Sequence, residues 1–294
     1  MSQRTYPFMQ VDAFTTKPLG GNPCAIVFEA DDLYAPTMQA IAREMNLSET
    51  AFVLRSQIAD VRARYFTPEA EIPLAGHPTI ATIFALVETG RLTLTGDRMT
   101  VSLELRDGPI AVEVFAKEKK VQQVVMTQRK PQFLATYPAE VVLPLWGLDN
   151  EDALPDVPIQ TVSTGTPQLM IPLRSLDALR KVNLNVAAYR QFREQADFFS
   201  PHLFCLQGAT PLGRTFARHV DTFEDPFTGS ATGGMAAYLW HYGLLEQPTF
   251  IAEQGHWMQR PGQANVEVIG PRTAIETVKV GGSAVTVLRG ELVI

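Results

Sequence analysis

The chain has 294 residues, of which 46% are hydrophobic and 19% charged, and its net charge is −6 at pH 7. This length suits one large domain or two smaller ones with full cores. The acidic balance excludes a broad basic surface for nucleic acid or an anionic membrane. It does not exclude an acidic substrate, because helix N-termini act locally on a bound anion.

The cysteines and the start of the chain indicate the compartment. Cys24 and Cys205 are the only cysteines and lie far apart, which fits reduced thiols of a cytosolic protein better than a disulfide framework. The segment from Met1 to Tyr6 lacks the apolar core of a signal peptide, and no apolar run has transmembrane length. We therefore expect a cytoplasmic protein that does not enter a membrane.

Strand patterns dominate the first half of the chain. Loose alternation or short apolar runs predict strands at 8–14, 25–28, 51–54, 61–66, 100–105 and 110–115. One amphipathic helix is predicted from Thr37 to Asn46. Its apolar residues recur at helical spacing, namely Met38, Ile41, Ala42 and Met45.

The second half begins near the charged run 117–120, which marks either a seam between domains or the tip of a hairpin. Beyond it, strands are predicted at 121–126 and 168–173, and an outer helix at 187–198. The last stretch, 277–294, has the pattern of two strands and no counterpart after Lys120. These strands are candidates to cross back and complete the first half.

Two glycine-containing turns each lead into a segment of helix length that is apolar on nearly every side. The first turn, 72–79, precedes the run 80–87, and the second, 225–234, precedes the run 235–242. A single shift without gaps places Pro73 on Pro226, Gly76 on Gly229, Thr79 on Thr232 and Gly90 on Gly243. Because the turns and the helix ends keep register together, we interpret the match as an internal duplication.

A helix without a polar face has to be enclosed, and a strongly curved sheet achieves this. The sequence therefore predicts an α+β protein of two pseudo-repeated domains, each a barrel-like, mostly antiparallel sheet around a central apolar helix. Residues 1–118 form the first domain, with 277–294 as its candidate completion, and 119–276 form the second. The helix N-termini at His77 and Ser230 are expected to face a shared cleft, where a carboxylate or phosphate would bind.

Four motifs point to a known family. In chain order they are Gly21-Asn22-Pro23, the segment 46–50 (NLSET), the segment 74–79 (LAGHPT) and the segment 224–231 (EDPFTGSA). In order and spacing they resemble the PhzF family of phenazine biosynthesis over essentially the whole chain. The resemblance implies the diaminopimelate epimerase-like fold, with two similar halves that each wrap a sheet around a helix, and it implies a homodimer. So broad a family does not imply phenazine production by every member.

Glu49 is the first catalytic candidate. A glutamate between a helix and a strand is most often a solvated surface residue. Strand alternation would instead place Glu49 on the side of Ala51 and Val53, where apolar surroundings favour the protonated carboxyl. The resemblance implies that Glu49 is the general acid/base, which takes a proton from one carbon and returns it to another.

His77 and Asp225 are the other catalytic candidates. His77 is either an ordinary helix-cap residue or a site residue at the positive helix end. Asp225 is either a turn residue before Pro226 or a carboxylate of the site. The resemblance implies that the histidine contacts substrate or assists proton movement, and that the aspartate binds substrate or relays the proton.

The candidate substrate-binding residues lie beside the catalytic ones. Ser230 has the pattern of a helix N-cap, a role that needs no function. The resemblance implies that Ser230 also binds the ligand, that Gly76 and Gly229 donate backbone N–H bonds to it, and that Ser48 contacts the substrate. The ligand it implies is a small carboxylate-bearing molecule.

Several chemistries are excluded by the residues present. In the epimerases that the fold resembles, a cysteine precedes the glycine at each helix entry; Ala75 and Thr228 stand there, and neither provides a thiolate. The histidines lack short ligand spacing and no CxxC exists, so no metal is expected. The run 229–234 lacks the lysine of a Walker A motif and the frame of a dinucleotide fingerprint. We therefore expect no cofactor.

The sequence thus predicts a cofactor-independent isomerase that moves a proton between carbons of a small carboxylate. Two alternatives stay open. A lyase or dehydratase would use the same base and expel a leaving group. A non-catalytic module for binding small acids or proteins would retain the fold without proton exchange.

Overall fold

The computed structural model describes residues 4–207 and 214–294, and it shows an α+β protein in which strands predominate. The predicted α+β class is therefore confirmed. The prediction that no signal peptide is present rests in part on residues 1–3, which lie outside the described ranges. Within these ranges, no helix has both the length and the apolarity needed to cross a membrane.

The elements are numbered in chain order. Up to residue 127 they are β1 (Thr5–Ala13), β2 (Asn22–Val27), α1 (Ala35–Met45), β3 (Glu49–Leu54), β4 (Val61–Phe66), β5 (Glu71–Ile72), α2 (Gly76–Glu88), β6 (Arg98–Leu105), β7 (Gly108–Lys117) and β8 (Lys120–Thr127). They continue with β9 (Gln132–Tyr137), α3 (Ala139–Val142), β10 (Ile159–Ser163), β11 (Pro167–Leu173), α4 (Leu176–Lys181), α5 (Val186–Arg193), β12 (Ser200–Gln207), β13 (Arg214–Val220), β14 (Glu224–Asp225), α6 (Gly229–His241), β15 (Thr249–Gln254), β16 (Gly262–Ile269), β17 (Thr277–Gly282) and β18 (Ala284–Val293).

The chain divides into two compact units, one of Met1–Met126 with Gly281–Ile294 and one of Thr127–Val280. The C-terminal strand β18 lies in the first unit, where it pairs antiparallel with β1 over the whole length of β1. At the charged run 117–120 the structure has a hairpin tip, because Lys117 pairs with Lys120 across β7 and β8. A seam between domains is therefore not located there.

In the first unit, helices connect the parallel strand pairs. The helix α1 links β2 to β3, and α2 links the β4–β5 hairpin to β6, which pairs parallel with β4. Every residue of α2 from His77 to Leu86 is buried, and the helix packs against β1, β2, β3 and β18. Its sequence requires this, because no face of the helix is polar enough to meet solvent.

The second unit has a helix of the same length in a similar setting. The short α4 and α5 lie between the parallel strands β11 and β12, and α6 lies between β13 and its parallel partner β15. Residues 231–239 of α6 are buried, and the helix packs against β10, β11 and β16. The internal duplication and the barrel-like closure of each sheet stay predictions.

Gly21 occupies a backbone position that excludes a side chain. Its φ is +55°, and a Cβ would lie 2.1 Å from the carbonyl oxygen of Ala13. The preceding loop is held by the buried carboxylate of Asp12, whose Oδ2 accepts a hydrogen bond from the backbone N–H of Leu19 at 2.7 Å. Because β2 begins at the next residue, Gly21 sets where Asn22 enters the sheet.

We expect Gly21→Ala to lower the free energy of unfolding more than Gly90→Ala does. Gly90 also has a positive φ of 71° but nothing within 4 Å of its Cβ position. Gly90→Ala therefore reports backbone strain alone, on the order of 1 kcal/mol. Gly290→Ala, with open space and no positive φ, is the neutral control. Urea denaturation measures all three, and equal effects at positions 21 and 90 would contradict the role of the close backbone approach.

Candidate active site

Glu49 is the first residue of β3, where the strand emerges beside β2. Its register partner across the parallel pair is Cys24. The Glu49 side chain is only 17% exposed, so the surface interpretation of this residue is not what the structure shows. A carboxyl group in such a position is close to water yet surrounded mainly by protein, which suits a group that gains and loses a proton.

His77 brings an imidazole to the same place. It lies in the first turn of α2, its side chain is 5% exposed, and its Nδ1 lies 3.0 Å from Glu49 Oε2. Strand β3 and helix α2 thus join two predicted site residues that are distant in sequence. The 3.0 Å separation is that of an ion pair when the imidazole is protonated and the carboxyl is ionised.

Asn22 is a third member of this cluster. Its Nδ2 lies 3.2 Å from the same His77 Nδ1, and the residue is fully buried. Nδ1 accepts from Asn22 when it carries a lone pair and donates toward Glu49 when it carries a proton. Asn22 therefore orients the imidazole of His77 in the neutral tautomer that carries its proton on Nε2. Its place in the Gly-Asn-Pro motif was the available sequence signal, although the motif alone does not show what the amide contacts.

Ser48 and Gly76 lie next to the paired residues. Ser48 directly precedes Glu49 and is partly buried, and Gly76 is the first residue of α2. The N-cap of α2 is Ala75, whose methyl group accepts no hydrogen bond from the first turn. The first backbone N–H groups of a helix lack intrahelical acceptors, so this turn favours an anion.

The second unit places Asp225 and Thr228 together. Asp225 lies on the short β14 opposite His219 of β13, and its Oδ2 accepts a hydrogen bond from the Thr228 hydroxyl. The buried Gln254 amide donates to the Asp225 carbonyl oxygen at 2.7 Å and accepts from the Thr228 backbone N–H at 3.2 Å. Thr228, which directly precedes the first glycine of α6, therefore orients a carboxylate.

Ser230 is the second residue of α6, and Thr228 is the N-cap of that helix. The prediction that Ser230 is the N-cap is therefore wrong, because the backbone leaves the extended region at Thr228. The first turn is held from outside the helix, since the Gln128 amide donates to the Gly229 carbonyl oxygen at 2.8 Å. Gln128 packs so closely that a Cβ at Gly233 would lie 1.8 Å from its Oε1.

Both cysteines are buried free thiols without the environment of a reactive cysteine. Burial raises the pKa of Cys24 well above its usual value, and the Glu49 carboxylate raises it further. Burial alone raises the pKa of Cys205 to about 12. Within the described residues, no group of three or more His, Cys, Asp and Glu side chains is arranged to hold a metal ion.

A pair of buried histidines lies on the neighbouring strands β12 and β13, and His219 is the register partner of Asp225. His202 and His219 are at most 6% exposed, and their Nδ1 atoms are 3.4 Å apart. Burial lowers the pKa of His202 well below its usual value, and His219 lowers it further. Burial also lowers the pKa of His219, against the opposing effect of the carboxylates of Asp225, Asp221 and Glu224.

Comparison with known proteins places the chain in a family. The chain matches the family model of phenazine biosynthesis-like proteins over residues 11–290. It is 34% identical over 266 residues to the uncharacterized isomerase YfhB of Bacillus subtilis, which covers 88% of this chain and 89% of that protein. It is 35% identical over 292 residues to a trans-2,3-dihydro-3-hydroxyanthranilate isomerase of Pseudomonas fluorescens, covering 98% and 99% of the two chains.

A solved structure agrees with these relatives. The PhzF-family phenazine biosynthesis protein of Bacillus anthracis superposes with a TM-score of 0.87 at 32% identity, covering 99% of this chain and 100% of that one. The α+β fold and the relatives together define a protein of the isomerase class. Within that class, the chain belongs to the PhzF family of phenazine biosynthesis-like proteins, as the four motifs predicted.

We expect neither thiol to react with iodoacetamide in the native protein at pH 8, because burial disfavours the thiolate that alkylation requires. In urea both thiols become accessible and react. A Thr95→Cys variant, at an exposed position of the first unit, provides a thiol that reacts in the native state. Mass spectrometry counts the modified cysteines, and rapid native labelling of Cys24 or Cys205 would contradict the expectation.

We expect stability to fall between pH 7 and pH 5 because of the histidine pair. Unfolded histidines bind protons near a pKa of about 6.5, whereas burial keeps the folded ones neutral. The contribution is therefore fully present above that pH and is lost as the pH falls, with a slope of at most about 1.4 kcal/mol per pH unit for each histidine between its unfolded and folded pKa. His202→Asn keeps a donor without a titrating group. A pH slope in this variant equal to that of the wild type, measured by urea denaturation, would refute the assignment.

Proposed function

We propose that the protein is an isomerase that needs no cofactor and moves a proton between two carbons of a small carboxylate-bearing metabolite. Glu49 is the general acid/base of this reaction. The observation that carries the proposal is the 3.0 Å contact between Glu49 Oε2 and His77 Nδ1 in a mostly buried setting. Folding alone does not require two ionisable side chains to be placed together there.

The proposed reaction needs no group besides the substrate and one carboxyl to supply or remove protons and electrons. The Glu49 carboxylate takes a proton from one carbon, and the electron pair of the broken C–H bond enters the conjugated system of the substrate. The protonated Glu49 then returns the proton to a second carbon as the double bond shifts. His77, oriented by Asn22, exchanges a proton with Glu49. Glu49 is thereby ionised when it removes the substrate proton and protonated when it returns one.

We propose that the binding residues hold the substrate through hydrogen bonds to its anionic oxygens. Gly76 and Gly229 would donate backbone N–H bonds at the starts of their helices, where negative charge is favoured. Ser48 and Ser230 would donate hydroxyl bonds. Asp225, which the Thr228 hydroxyl orients, would bind a polar group of the substrate or relay the proton.

The named relatives suggest the kind of substrate. The Pseudomonas fluorescens relative is a trans-2,3-dihydro-3-hydroxyanthranilate isomerase, so its named substrate is a cyclic, unsaturated amino acid with a carboxylate. We propose a metabolite of this chemical class for the present protein. A conjugated ring makes a C–H bond acidic enough for a carboxylate base, because the developing charge is delocalised.

The test is proton exchange with solvent during turnover of trans-2,3-dihydro-3-hydroxyanthranilate in D₂O. Wild-type protein is expected to give product of unchanged composition apart from deuterium, and Glu49→Gln is expected to slow turnover by about 10²- to 10⁴-fold. Glu104→Gln makes the same chemical change in the same unit, at a carboxylate that accepts from Ser56 outside the site, and should be as active as wild type.

The outcomes separate the competing explanations. Unchanged exchange in Glu49→Gln, with matching thermal unfolding of both variants, would remove Glu49 from its role. A product lighter by one water would indicate a dehydratase. Binding without any exchange would indicate a non-catalytic module.

A further inference from the structure

A chain of buried polar side chains leads through the second unit to Ser230. His219 Nε2 lies 2.9 Å from Ser200 Oγ, Ser200 Oγ lies 2.6 Å from Gln168 Oε1, and Gln168 Nε2 lies 3.4 Å from Ser230 Oγ. The far end is His202, whose Nδ1 contacts His219 Nδ1 at 3.4 Å. The four members behind Ser230 are at most 6% exposed.

The sheet explains why these side chains meet. Gln168 and Ser200 are register partners on the parallel strands β11 and β12, so their side chains share one face. His202 follows two residues after Ser200 and therefore points to that same face. His219, on the neighbouring strand β13, contacts both Ser200 and His202.

The hydrogen atoms on these side chains allow the row of hydrogen bonds to run in either of two directions, which we call its polarities. In the first, His202 donates to His219, His219 donates to Ser200, Ser200 donates to the Gln168 carbonyl oxygen, and the Gln168 amide donates to Ser230. In the second, the oxygen and nitrogen of the Gln168 amide exchange places. Ser230 then donates to Gln168, Gln168 donates to Ser200, Ser200 donates to His219, and His219 donates to His202. Neutral imidazoles have one donor and one acceptor nitrogen each. A mixture in which Ser200 accepts from both His219 and Gln168 would leave the hydrogen of the buried Ser200 hydroxyl without an acceptor in this chain.

The free end of the chain selects the polarity. His202 Nε2 is buried and has no hydrogen-bond partner among the described residues. The first polarity leaves a lone pair there, whereas the second leaves an N–H group without an acceptor. A buried N–H without a partner is the rarer defect in proteins. The first polarity is therefore the stable one, and Ser230 Oγ accepts from Gln168.

This polarity determines what Ser230 can offer a ligand. Because its oxygen accepts from Gln168, its own hydrogen is directed away from the chain. Ser230 lies in the first turn of α6, where the backbone N–H groups are also donors. The turn therefore presents donors, which match the oxygens of a carboxylate and not an amine.

We propose that Gln168, Ser200 and His219 are positioning residues that keep the Ser230 hydroxyl as a donor for a carboxylate oxygen of the substrate. This inference rests on the proposed function, in which Ser230 binds the substrate. The positioning residues themselves do not touch the ligand. Their effect on binding should therefore pass entirely through Ser230.

Histidine tautomers test the polarity without any ligand. Long-range ¹H–¹⁵N spectra of histidine-labelled protein at pH 7 should show His219 protonated on Nε2 and His202 protonated on Nδ1. The variants His202→Gln and His219→Gln assign the signals. His219 protonated on Nδ1 would mean that Ser200 donates to it, and this would overturn the proposal.

A double-mutant cycle tests the positioning with 3-hydroxyanthranilate, an aromatic carboxylate that does not turn over by proton shift, and with 2-aminophenol, which lacks the carboxylate. Calorimetry should show that Ser230→Ala weakens carboxylate binding about tenfold and Ser200→Ala about fivefold, with little change for 2-aminophenol. In the Ser230→Ala background, Ser200→Ala should have no further effect.

Ser175→Ala is the matched control. It removes another serine hydroxyl of the second unit, which caps α4 by accepting from the Ala178 N–H at 3.2 Å, and should leave carboxylate binding unchanged. Equal losses from Ser200→Ala in both backgrounds would overturn the positioning role, since the effect would then bypass Ser230. If the wild type does not prefer 3-hydroxyanthranilate, the proposed carboxylate-binding function fails as well, whereas a wrong tautomer refutes the positioning chain alone.

Discussion

The contact between the Glu49 carboxyl and the His77 imidazole is the interaction on which the rest of the first unit's site depends. It requires the start of β3 to meet the first turn of α2 at 3.0 Å. The enclosed, apolar α2 makes this meeting reproducible, because a helix packed on all sides has no freedom to slide or rotate. Asn22 and Gly21 then complete the arrangement, one by contacting the imidazole and the other by allowing the close backbone approach.

In the second unit, a neutral hydroxyl and a neutral amide hold the carboxylate of the candidate site in place. Thr228 directs its hydroxyl to Asp225, and Gln254 connects both residues to the end of β15. A hydroxyl at this helix entry orients a carboxylate, which is consistent with a single base in the proposed isomerase.

Buried polar groups must be paired, and this rule links the core of the second unit to its binding residue. The hydrogen-bonded side chains from His202 to Gln168 give each donor an acceptor. The atom without a partner is His202 Nε2, which carries a lone pair. Neutral histidines are essential to this arrangement, because a protonated imidazole would have two donors and no acceptor. Side chains deep in a sheet thereby influence a hydroxyl at the helix N-terminus.

The amino-acid sequence by itself determined the apolar helices, several of the strands and the family to which the chain belongs. The periodicity of residues 38–45 predicted α1, and the two apolar runs predicted α2 and α6, because local hydrophobic spacing depends on few neighbours. The motifs predicted Glu49, His77, Asp225 and Ser230 as site residues. Their proposed roles remain predictions, but the first two are adjacent in the structure.

Only the tertiary structure decided which polar atoms meet. Asn22, Gln168 and Gln254 have common amide side chains, and nothing local in the sequence shows that one contacts His77 and another Ser230. The N-cap of α6 is at Thr228 and not at Ser230, because backbone geometry and not residue type sets where a helix begins. Hydrogen bonding between distant strands is a property of packing, and the sequence therefore specifies it only through the fold.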